Sequence, residues 1–201
     1  MSYLSNVKDR YVEKDSFLYR FVNKKPSDVN INKMWNNCGK DGRFNKYRNI
    51  YYCCNDISTI PIENITENSR LEGSLIKAIV KEPLKLGQVI GEELFRELSG
   101  LTLKEKDYLK TNYPDLYMLK QSLNLTEDVD YTKTSEMAEQ IFKYYPNGIA
   151  IPSVIGFPNG LYGFCISDEN KLTTENYALN FALTKQGYEK IQEYKPIIYR
   201  Q

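Results

Sequence analysis

The sequence predicts an α+β fold, because segments with strand and helix patterns are mixed without the regular strand–helix alternation of a doubly wound parallel sheet. Short runs rich in aromatic and β-branched residues, such as Phe17–Val22, predict strands. A stripe of Met137, Ile141 and Tyr145 predicts an amphipathic helix. The 201 residues suit a single domain that is large enough to bury a core without metals or disulfides.

The first predicted strand, Phe17–Val22, contains an arginine in an apolar setting. Strict alternation places Arg20 on the same face as Leu18 and Val22, and the aromatic residues on the other face. Burial of a charge is costly unless a partner is present. Arg20 therefore either extends to solvent from an edge strand or points into a pocket where it meets an anion.

A long polar connection, residues 23–48, follows and ends in Gly42-Arg43-Phe44-Asn45. Connections of this length are more often functional than idle. The run 49–54 predicts the second strand, in which Tyr51 and Tyr52 point to opposite faces. Asp56 is then a suitable N-cap for a short helix within residues 57–67, although Pro61 interrupts the helical spacing.

The rest of the chain alternates between short strands and helices. Two short strands are predicted within 78–89, around Glu82 and Pro83, and later strands at 148–154, 161–167, 177–183 and 197–199. Helices are predicted at 90–98, at 101–123 with a break at Pro114, at 135–145 and at 185–194. The region at about 101–145 is a helical insertion in the single domain, residues 1–201.

Composition excludes several kinds of protein. The chain contains no histidine, so catalysis by a Ser–His or Cys–His pair is excluded. No apolar run approaches the roughly 20 residues that span a bilayer, and the N-terminus lacks the apolar core of a signal peptide, which predicts a cytoplasmic protein. The net charge of +1 gives no global attraction to nucleic acid or to an anionic membrane. Residues 1–60 carry an excess of five positive charges, which is either a solvated basic face or a site for an anionic ligand.

The four cysteines form no CxxC pair, so no metal site is predicted. Cys53 and Cys54 point to opposite faces of the second strand and are not expected to pair with each other. Phosphate-binding glycine loops of the P-loop or dinucleotide type are also absent from the sequence.

Five residues that are individually ordinary occur in an informative order. Arg20 follows a tyrosine on the first strand, Arg43 follows a glycine, Tyr52 lies on the second strand, Glu63 comes eleven residues later, and Ser153 follows Pro152 far downstream. Singly, each is more simply a surface, core or turn residue. Together they predict one pocket with two guanidinium groups, an aromatic ring, a carboxylate and a hydroxyl.

This order resembles the RES family, which is named for its Arg, Glu and Ser. The resemblance rests on Leu18-Tyr19-Arg20-Phe21, on Gly42-Arg43-Phe44-Asn45, on the strand ending Tyr51-Tyr52-Cys53-Cys54, on Glu63 and on Ile151-Pro152-Ser153. It covers residues 17–65 and 146–166 and says little about 66–145. It implies an ADP-ribosyltransferase-like fold, with mixed sheets flanked by helices in a single domain.

The resemblance also implies an activity, the degradation of NAD by a toxin of a toxin–antitoxin pair. NAD is then the substrate, cleaved at its nicotinamide–ribose bond by hydrolysis or phosphorolysis. Glu63 would stabilise the positive charge that develops on the ribose. Arg20 and Arg43 would bind the pyrophosphate, because guanidinium forks match phosphate oxygens.

Tyr52 would pack against nicotinamide, Ser153 would orient the ribose or the amide, and Asn159 matches a polar position shortly after that serine. No metal is required by this chemistry. The expected partners are NAD, inorganic phosphate as one acceptor, and a protein antitoxin of the helix-turn-helix type, with neither membrane nor direct nucleic-acid binding. A mono-ADP-ribosyltransferase acting on a protein or nucleic acid, and a non-catalytic binding protein in which Arg20 and Glu63 form a structural ion pair, are the alternatives.

Overall fold

The chain forms a mixed β-sheet with few helices, an α+β arrangement. A computed structural model describes residues 7–24, 26–30, 43–57, 59–60, 71–89, 103–112, 131–153, 161–184 and 187–189. Its strands are β1 Lys8–Val12, β2 Phe17–Val22, β3 Tyr51–Cys54, β4 Leu71–Val80, β5 Leu84–Gln88, β6 Gly148–Pro152, β7 Tyr162–Ile166, β8 Leu172–Thr184 and β9 Gly187–Glu189. Its helices are α1 Leu103–Asn112 and α2 Tyr131–Phe142, and single 3-10 turns lie at Pro26–Asp28 and Glu169–Lys171.

The nine strands form one sheet in the order β1-β5-β6-β7-β3-β2-β4-β8-β9. Every neighbouring pair is antiparallel except β5 and β6, which are parallel. A parallel pair needs a long crossover, and here residues 89–147, which include both helices, connect the two strands. The helical region predicted at about 101–145 therefore lies within this crossover.

Two short connections require that the sheet be strongly curved. β1 and β2 lie five strand positions apart, roughly 24 Å in a flat sheet at about 4.8 Å per position. Val12 and Phe17 are joined by a segment that spans at most about 18 Å when extended. β4 and β5 are also five positions apart, yet only residues 81–83 join them. The two halves of the sheet must therefore fold toward each other.

The apolar core lies between these two halves. One cluster joins Leu18 and Ala78 from one half with Leu84, Leu86 and Ala150 from the other. The backbone N–H of Asp15 donates to the carbonyl of Val80 at 2.8 Å, and the N–H of Val80 donates to the carbonyl of Ser16 at 3.0 Å, so backbone hydrogen bonds join the β1–β2 connection to the end of β4.

We call the sheet face that encloses this core the inner face, and it carries Leu18, Arg20, Tyr51, Phe164 and Leu86. The assignment follows from the register, since paired residues of antiparallel strands share a face and faces alternate along each strand. Tyr19 pairs with Cys54, and Cys53 pairs with Phe164. Tyr19 and Cys54 thus lie on the opposite, outer face.

Helix α2 packs on the outer face. It buries Met137, Ala138, Ile141 and Phe142. Met137 and Ile141 belong to the apolar stripe predicted from the sequence, and Tyr145, its third member, lies just past the end of the helix. A Cβ atom at Gly87 would lie 2.8 Å from the ring of Tyr145 and 2.9 Å from Ile141, so the absent side chain allows the helix and its C-terminal extension to approach β5.

Several predicted elements are confirmed. β2 has the bounds predicted from its sequence, and β3, β6 and β7 lie within their predicted ranges. α1, Leu103–Asn112, lies within the helix predicted at 101–123, and the break predicted at Pro114 lies outside the described residues. α2 begins at Tyr131, one turn before the predicted start. Cys53, Cys54 and Cys165 are buried, and Cys38 lies outside the described residues.

Other predictions are wrong. The helix predicted at 185–194 is contradicted by β9, which pairs Gly187, Tyr188 and Glu189 with the end of β8. No strand was predicted at residues 8–12, and β1 forms there because β5 offers an edge along five residue pairs. β4 and β8 begin seven and five residues before the predicted strands because they pair with each other over most of their length.

Candidate functional site

Arg20 lies on the inner face of β2. It is paired across the sheet with Ile76 of β4, which is buried. Its guanidinium carbon lies 5.5 Å from the centre of the ring of Tyr51, a cation–π contact. The arginine predicted from alternation therefore lies among apolar residues, and an aromatic ring supports its charged end.

The register decides which tyrosine shares a face with Arg20. Because Tyr19 pairs with Cys54, alternation places Tyr51 on the face of Arg20 and Tyr52 on the opposite face. Tyr51 is fully buried, so its ring contacts Arg20 but is not accessible to a ligand. Burial raises the pKa of the Tyr51 hydroxyl, as do the nearby cysteine thiols, and Arg20 acts in the opposite direction.

Tyr52 organises the turn that contains Arg43. Its hydroxyl accepts a hydrogen bond from the backbone N–H of Phe44 at 3.1 Å and donates one to the side-chain oxygen of Asn45 at 3.4 Å. Burial raises the pKa of Tyr52, whereas the Phe44 hydrogen bond and the positive charge of Arg43 lower it by less. This hydroxyl is therefore a neutral structural group at neutral pH.

The turn at residues 43–48 is attached to the helix that covers the outer face. The carbonyl of Arg43 accepts a hydrogen bond from Thr134 Oγ1 at 2.6 Å, near the start of α2. Arg48 forms a bidentate ion pair with Glu139 and stacks on the ring of Phe142, at 4.3 Å. The backbone of Arg43 is consequently held on the side of the sheet opposite to Arg20.

Ser153 lies one residue past the end of β6. It is 2% exposed, and its backbone N–H donates to the carbonyl of Leu161 at 3.0 Å. β7 and β3 lie between β6 and β2, so Ser153 and Arg20 are on strands roughly 14 Å apart if measured across a flat sheet. Curvature of the sheet shortens this separation.

The remaining predicted site residues, Glu63 and Asn159, lie outside the described residues. The chain approaches Glu63 through a turn in which the N–H of Thr59 donates to the carbonyl of Asp56, the predicted cap position. Ile60 then packs against Cys54 and Leu75, on the outer face. Among the described residues, then, the predicted set is divided between the inner face with Arg20, the outer face with Arg43 and Tyr52, and the end of β6 with Ser153.

A second arginine on the inner face was missed by the sequence analysis. Arg10 of β1 pairs with Leu86, an inner-face residue. Its guanidinium carbon lies 4.2 Å from the centre of the Tyr162 ring and 5.7 Å from that of Phe164, and Nη1 donates to Gln88 Oε1 at 3.3 Å. The available signal was the alternation of Lys8, Arg10 and Val12, which becomes meaningful only when the partner strand is known.

Comparison of the chain with protein-family models, with curated proteins and with solved structures found no match. Among the helices that the structure describes, none is long and apolar enough to cross a membrane. The described part of the chain also holds no group of three cysteine or acidic residues placed to bind a metal ion.

Proposed function

We propose that this protein cleaves the nicotinamide–ribose bond of NAD, with water or inorganic phosphate as the acceptor. The observation that carries the proposal is the placement of Arg20, a guanidinium group that projects from the inner face of a curved mixed sheet over the ring of Tyr51. The order of Arg20, Arg43, Glu63 and Ser153 along the sequence, and its resemblance to RES proteins, supply the choice of substrate.

Arg20 would bind the pyrophosphate of NAD. A guanidinium can donate two parallel hydrogen bonds to phosphate oxygens, and a partly apolar setting strengthens such a charge-assisted contact. Tyr51 would hold the guanidinium in place through its ring, which reduces the conformational freedom that Arg20 loses when the ligand binds. Tyr52 and Arg43 would act indirectly, by fixing the turn at residues 43–48.

Glu63 would stabilise the transition state. Departure of neutral nicotinamide leaves positive charge on the ribose, and a carboxylate near that carbon lowers the barrier. Water or phosphate then forms the new bond to the same carbon, and water transfers its proton to the solvent. A strong base is unnecessary once the cation has formed, which is consistent with a chain that contains no histidine.

The proposal also includes a biological role that rests on the resemblance alone. The protein would act as a cytoplasmic toxin, and a helix-turn-helix antitoxin would block its site. Ser153 and Asn159 would orient the ribose or the nicotinamide amide.

The test is nicotinamide release from NAD by the purified protein, with and without inorganic phosphate, beside Glu63→Gln and Arg20→Gln. We expect Glu63→Gln to remove most turnover and to retain the wild-type melting temperature. Arg20→Gln should raise KM about tenfold or more, because it removes a charge-assisted contact to the pyrophosphate. A strict requirement for phosphate would identify a phosphorylase.

Lys143→Gln is the matched control, since it also removes one positive charge but is exposed, one residue past the end of α2. It should keep the wild-type KM. Nicotinamide release that is unchanged in Glu63→Gln would contradict the assignment of the carboxylate. Label transferred from NAD to a macromolecule would instead identify an ADP-ribosyltransferase.

A further inference from the structure

A cleft of about 400 Å³ lies between β1, the β1–β2 connection, β2 and Asn55, the residue that follows β3. Its lining includes a cation, three aromatic rings and two polar side chains. These are Arg10 of β1, Phe17 and Tyr19 of β2, Phe164 of β7, and Glu13 and Asn55. Its volume is within the range of sites that hold small organic ligands.

Arg10 is the central charged group of this cleft. It is half-buried, and its one hydrogen-bond partner among the described residues is Gln88, which is neutral. Asp9 is adjacent to it in sequence but lies on the other face of β1, where it pairs with Lys85 at 3.0 Å and accepts a hydrogen bond from Tyr145 at 2.9 Å. Within the described ranges, no carboxylate lies at ion-pair distance from Arg10.

The guanidinium is also held in a fixed orientation. Its carbon lies over the rings of Tyr162 and Phe164, and the side-chain oxygen of Gln88 accepts from one of its nitrogens. Gln88 is itself oriented, because its Nε2 donates to the Tyr162 hydroxyl at 3.2 Å. A guanidinium supported by rings and by a neutral acceptor keeps N–H donors for an anion, and no carboxylate of the described residues forms an ion pair with it.

Glu13 is the acidic residue of the cleft lining, and it is exposed. Its charge is screened by solvent, whereas Arg10 lies against aromatic rings where the local dielectric is lower. The aromatic wall that a ligand can reach consists of the rings of Phe17, which is 42% exposed, and of half-buried Tyr19, since Phe164 is buried. Lys77 Nζ lies 3.3 Å from the centre of the Phe17 ring, so the opposite side of that ring and the Tyr19 ring remain for a planar ligand to stack on. The cleft therefore favours a ligand that joins an anionic group to a planar ring.

Arg10 and Arg20 also belong to one side of the sheet. A continuous inner-face row runs from Gln88 through Ala150, Phe164 and Cys53 toward β2. Phe164, which Arg10 contacts, lies two strand positions from β2, roughly 10 Å. Of the arginines that the structure describes, Arg10 and Arg20 are thus on the enclosed side, whereas the backbone of Arg43 is attached to the helix on the outer side.

We infer that Arg10, oriented by Gln88 and Tyr162, forms a binding subsite for the phosphate of a nucleotide, with the base or another ring against the aromatic wall of the cleft. The identification of the phosphate as part of NAD rests on the proposed function, but binding of a nucleotide at Arg10 does not.

The test is calorimetric titration of the purified full chain with ADP and, separately, with inorganic pyrophosphate. We expect wild-type protein to bind ADP more tightly than pyrophosphate, since the ring adds contact with the aromatic wall. Arg10→Gln should weaken ADP binding by about tenfold or more, because it removes a charge-assisted contact. Lys8→Gln removes one charge from the same strand and face outside the cleft lining, and it should change ADP affinity less than twofold.

Gln88→Glu is a second variant that keeps the shape of the site. It places a carboxylate against Arg10, where the Tyr162 hydroxyl can donate to it, so the fold should remain intact. The new ion pair offsets the positive charge of Arg10, so Gln88→Glu should weaken ADP binding as strongly as Arg10→Gln does. The inference is overturned if wild-type protein does not bind ADP at millimolar concentration, or if Gln88→Glu binds it with unchanged affinity.

NAD turnover in the same variants separates this inference from the proposed function. ADP binding that depends on Arg10, with no NAD cleavage by wild-type protein, would support the subsite and reject the proposed activity. NAD cleavage that depends on Glu63, with unchanged KM in both Arg10→Gln and Gln88→Glu, would support the activity and overturn the assignment of the NAD phosphate to Arg10.

Discussion

At the scale of single residues, the neighbouring Tyr51 and Tyr52 have different roles because one step along a strand reverses the face. Tyr51 is fully buried on the inner face and supports Arg20. Tyr52 reaches the turn that precedes β3 and holds the backbone of Phe44. The sequence presents two equivalent tyrosines, and it could not assign these roles, since the pairing of Tyr19 with Cys54 sets the face of each.

Tyr52→Phe should lower the free energy of unfolding at pH 7 by about 1 kcal/mol, because the Phe44 N–H loses its acceptor. The variant should also lose less stability at high pH. Burial raises the pKa of Tyr52 in the folded protein, so stability falls as pH rises above about 10, where the unfolded tyrosine ionises. Urea unfolding between pH 7 and pH 11 measures both effects.

Tyr47→Phe is the matched control for this experiment. Tyr47 is 47% exposed, and its hydroxyl lies 3.5 Å from Glu136, the long limit of a hydrogen bond. Removing that hydroxyl should leave the free energy of unfolding within about 0.5 kcal/mol of the wild-type value. An equal loss of stability in the two variants would show that the Phe44–Tyr52 hydrogen bond contributes no more to the free energy of unfolding than the exposed Tyr47 hydroxyl does.

At the scale of elements, the contact between α2 and β5 depends on the absence of a side chain. The apolar stripe of α2 was readable from the sequence, since its buried residues recur with helical spacing. The surface that α2 covers could not be predicted, because nothing in the sequence near Gly87 indicates that Ile141 and Tyr145 pack against it. Pairing also explains β1 and β9, whose strand character comes from the edges of β5 and β8.

Gly87→Ala should destabilise the protein by about 1–3 kcal/mol, because a methyl group at this position overlaps the Tyr145 ring and the Ile141 side chain. The free energy of unfolding in urea is the measurement. Gly163→Ala, on β7, is the matched control. Its added Cβ meets two carbonyl oxygens at 3.9 Å, an ordinary contact.

The control should lie within about 1 kcal/mol of wild type, because alanine costs less conformational entropy than glycine when a strand forms. If Gly87→Ala is as stable as Gly163→Ala, then α2 does not pack as closely on β5 as the structure shows.

At the scale of the whole molecule, curvature of the sheet creates both the core and the candidate site. The connections at residues 13–16 and 81–83 are too short for a flat sheet, so β1 and β5 must face β2 and β4. This closure turns one sheet face into an interior and places Arg10 and Arg20 on it. The positive φ of Asp15, 65°, lies in the connection that makes this closure.

The hydrogen bonds that extend the β2–β4 ladder into the β1–β2 connection should be among the most protected in the protein. The N–H of Asp15 donates to the carbonyl of Val80, and the N–H of Val80 donates to the carbonyl of Ser16, next to the paired residues Phe17 and Ile79. We expect both amides to exchange with deuterium only through global unfolding, at the rate of the Phe164 amide on the central strand β7. Amide exchange followed by nuclear magnetic resonance in low concentrations of urea tests this expectation.

The exposed amide of Lys46 provides the comparison, since its partner is a serine hydroxyl at 3.4 Å. It should exchange through local opening, with little dependence on urea. Rapid, urea-independent exchange of the Val80 amide would show that this end of the β2–β4 ladder opens without global unfolding.

The sequence by itself determined the α+β class, the bounds of β2, the helical nature of α1 and α2, and the presence of Arg20 on an apolar face. These features are local, because they follow from periodicity, propensity and capping within a few residues. The tertiary structure alone decided that Tyr51 accompanies Arg20, that Arg43 is fixed on the outer side, and that Arg10 lies on the inner face. Those outcomes depend on which strands pair and in which register. The register pairs residues that are far apart in the chain, so it cannot be read from the side-chain pattern within one strand.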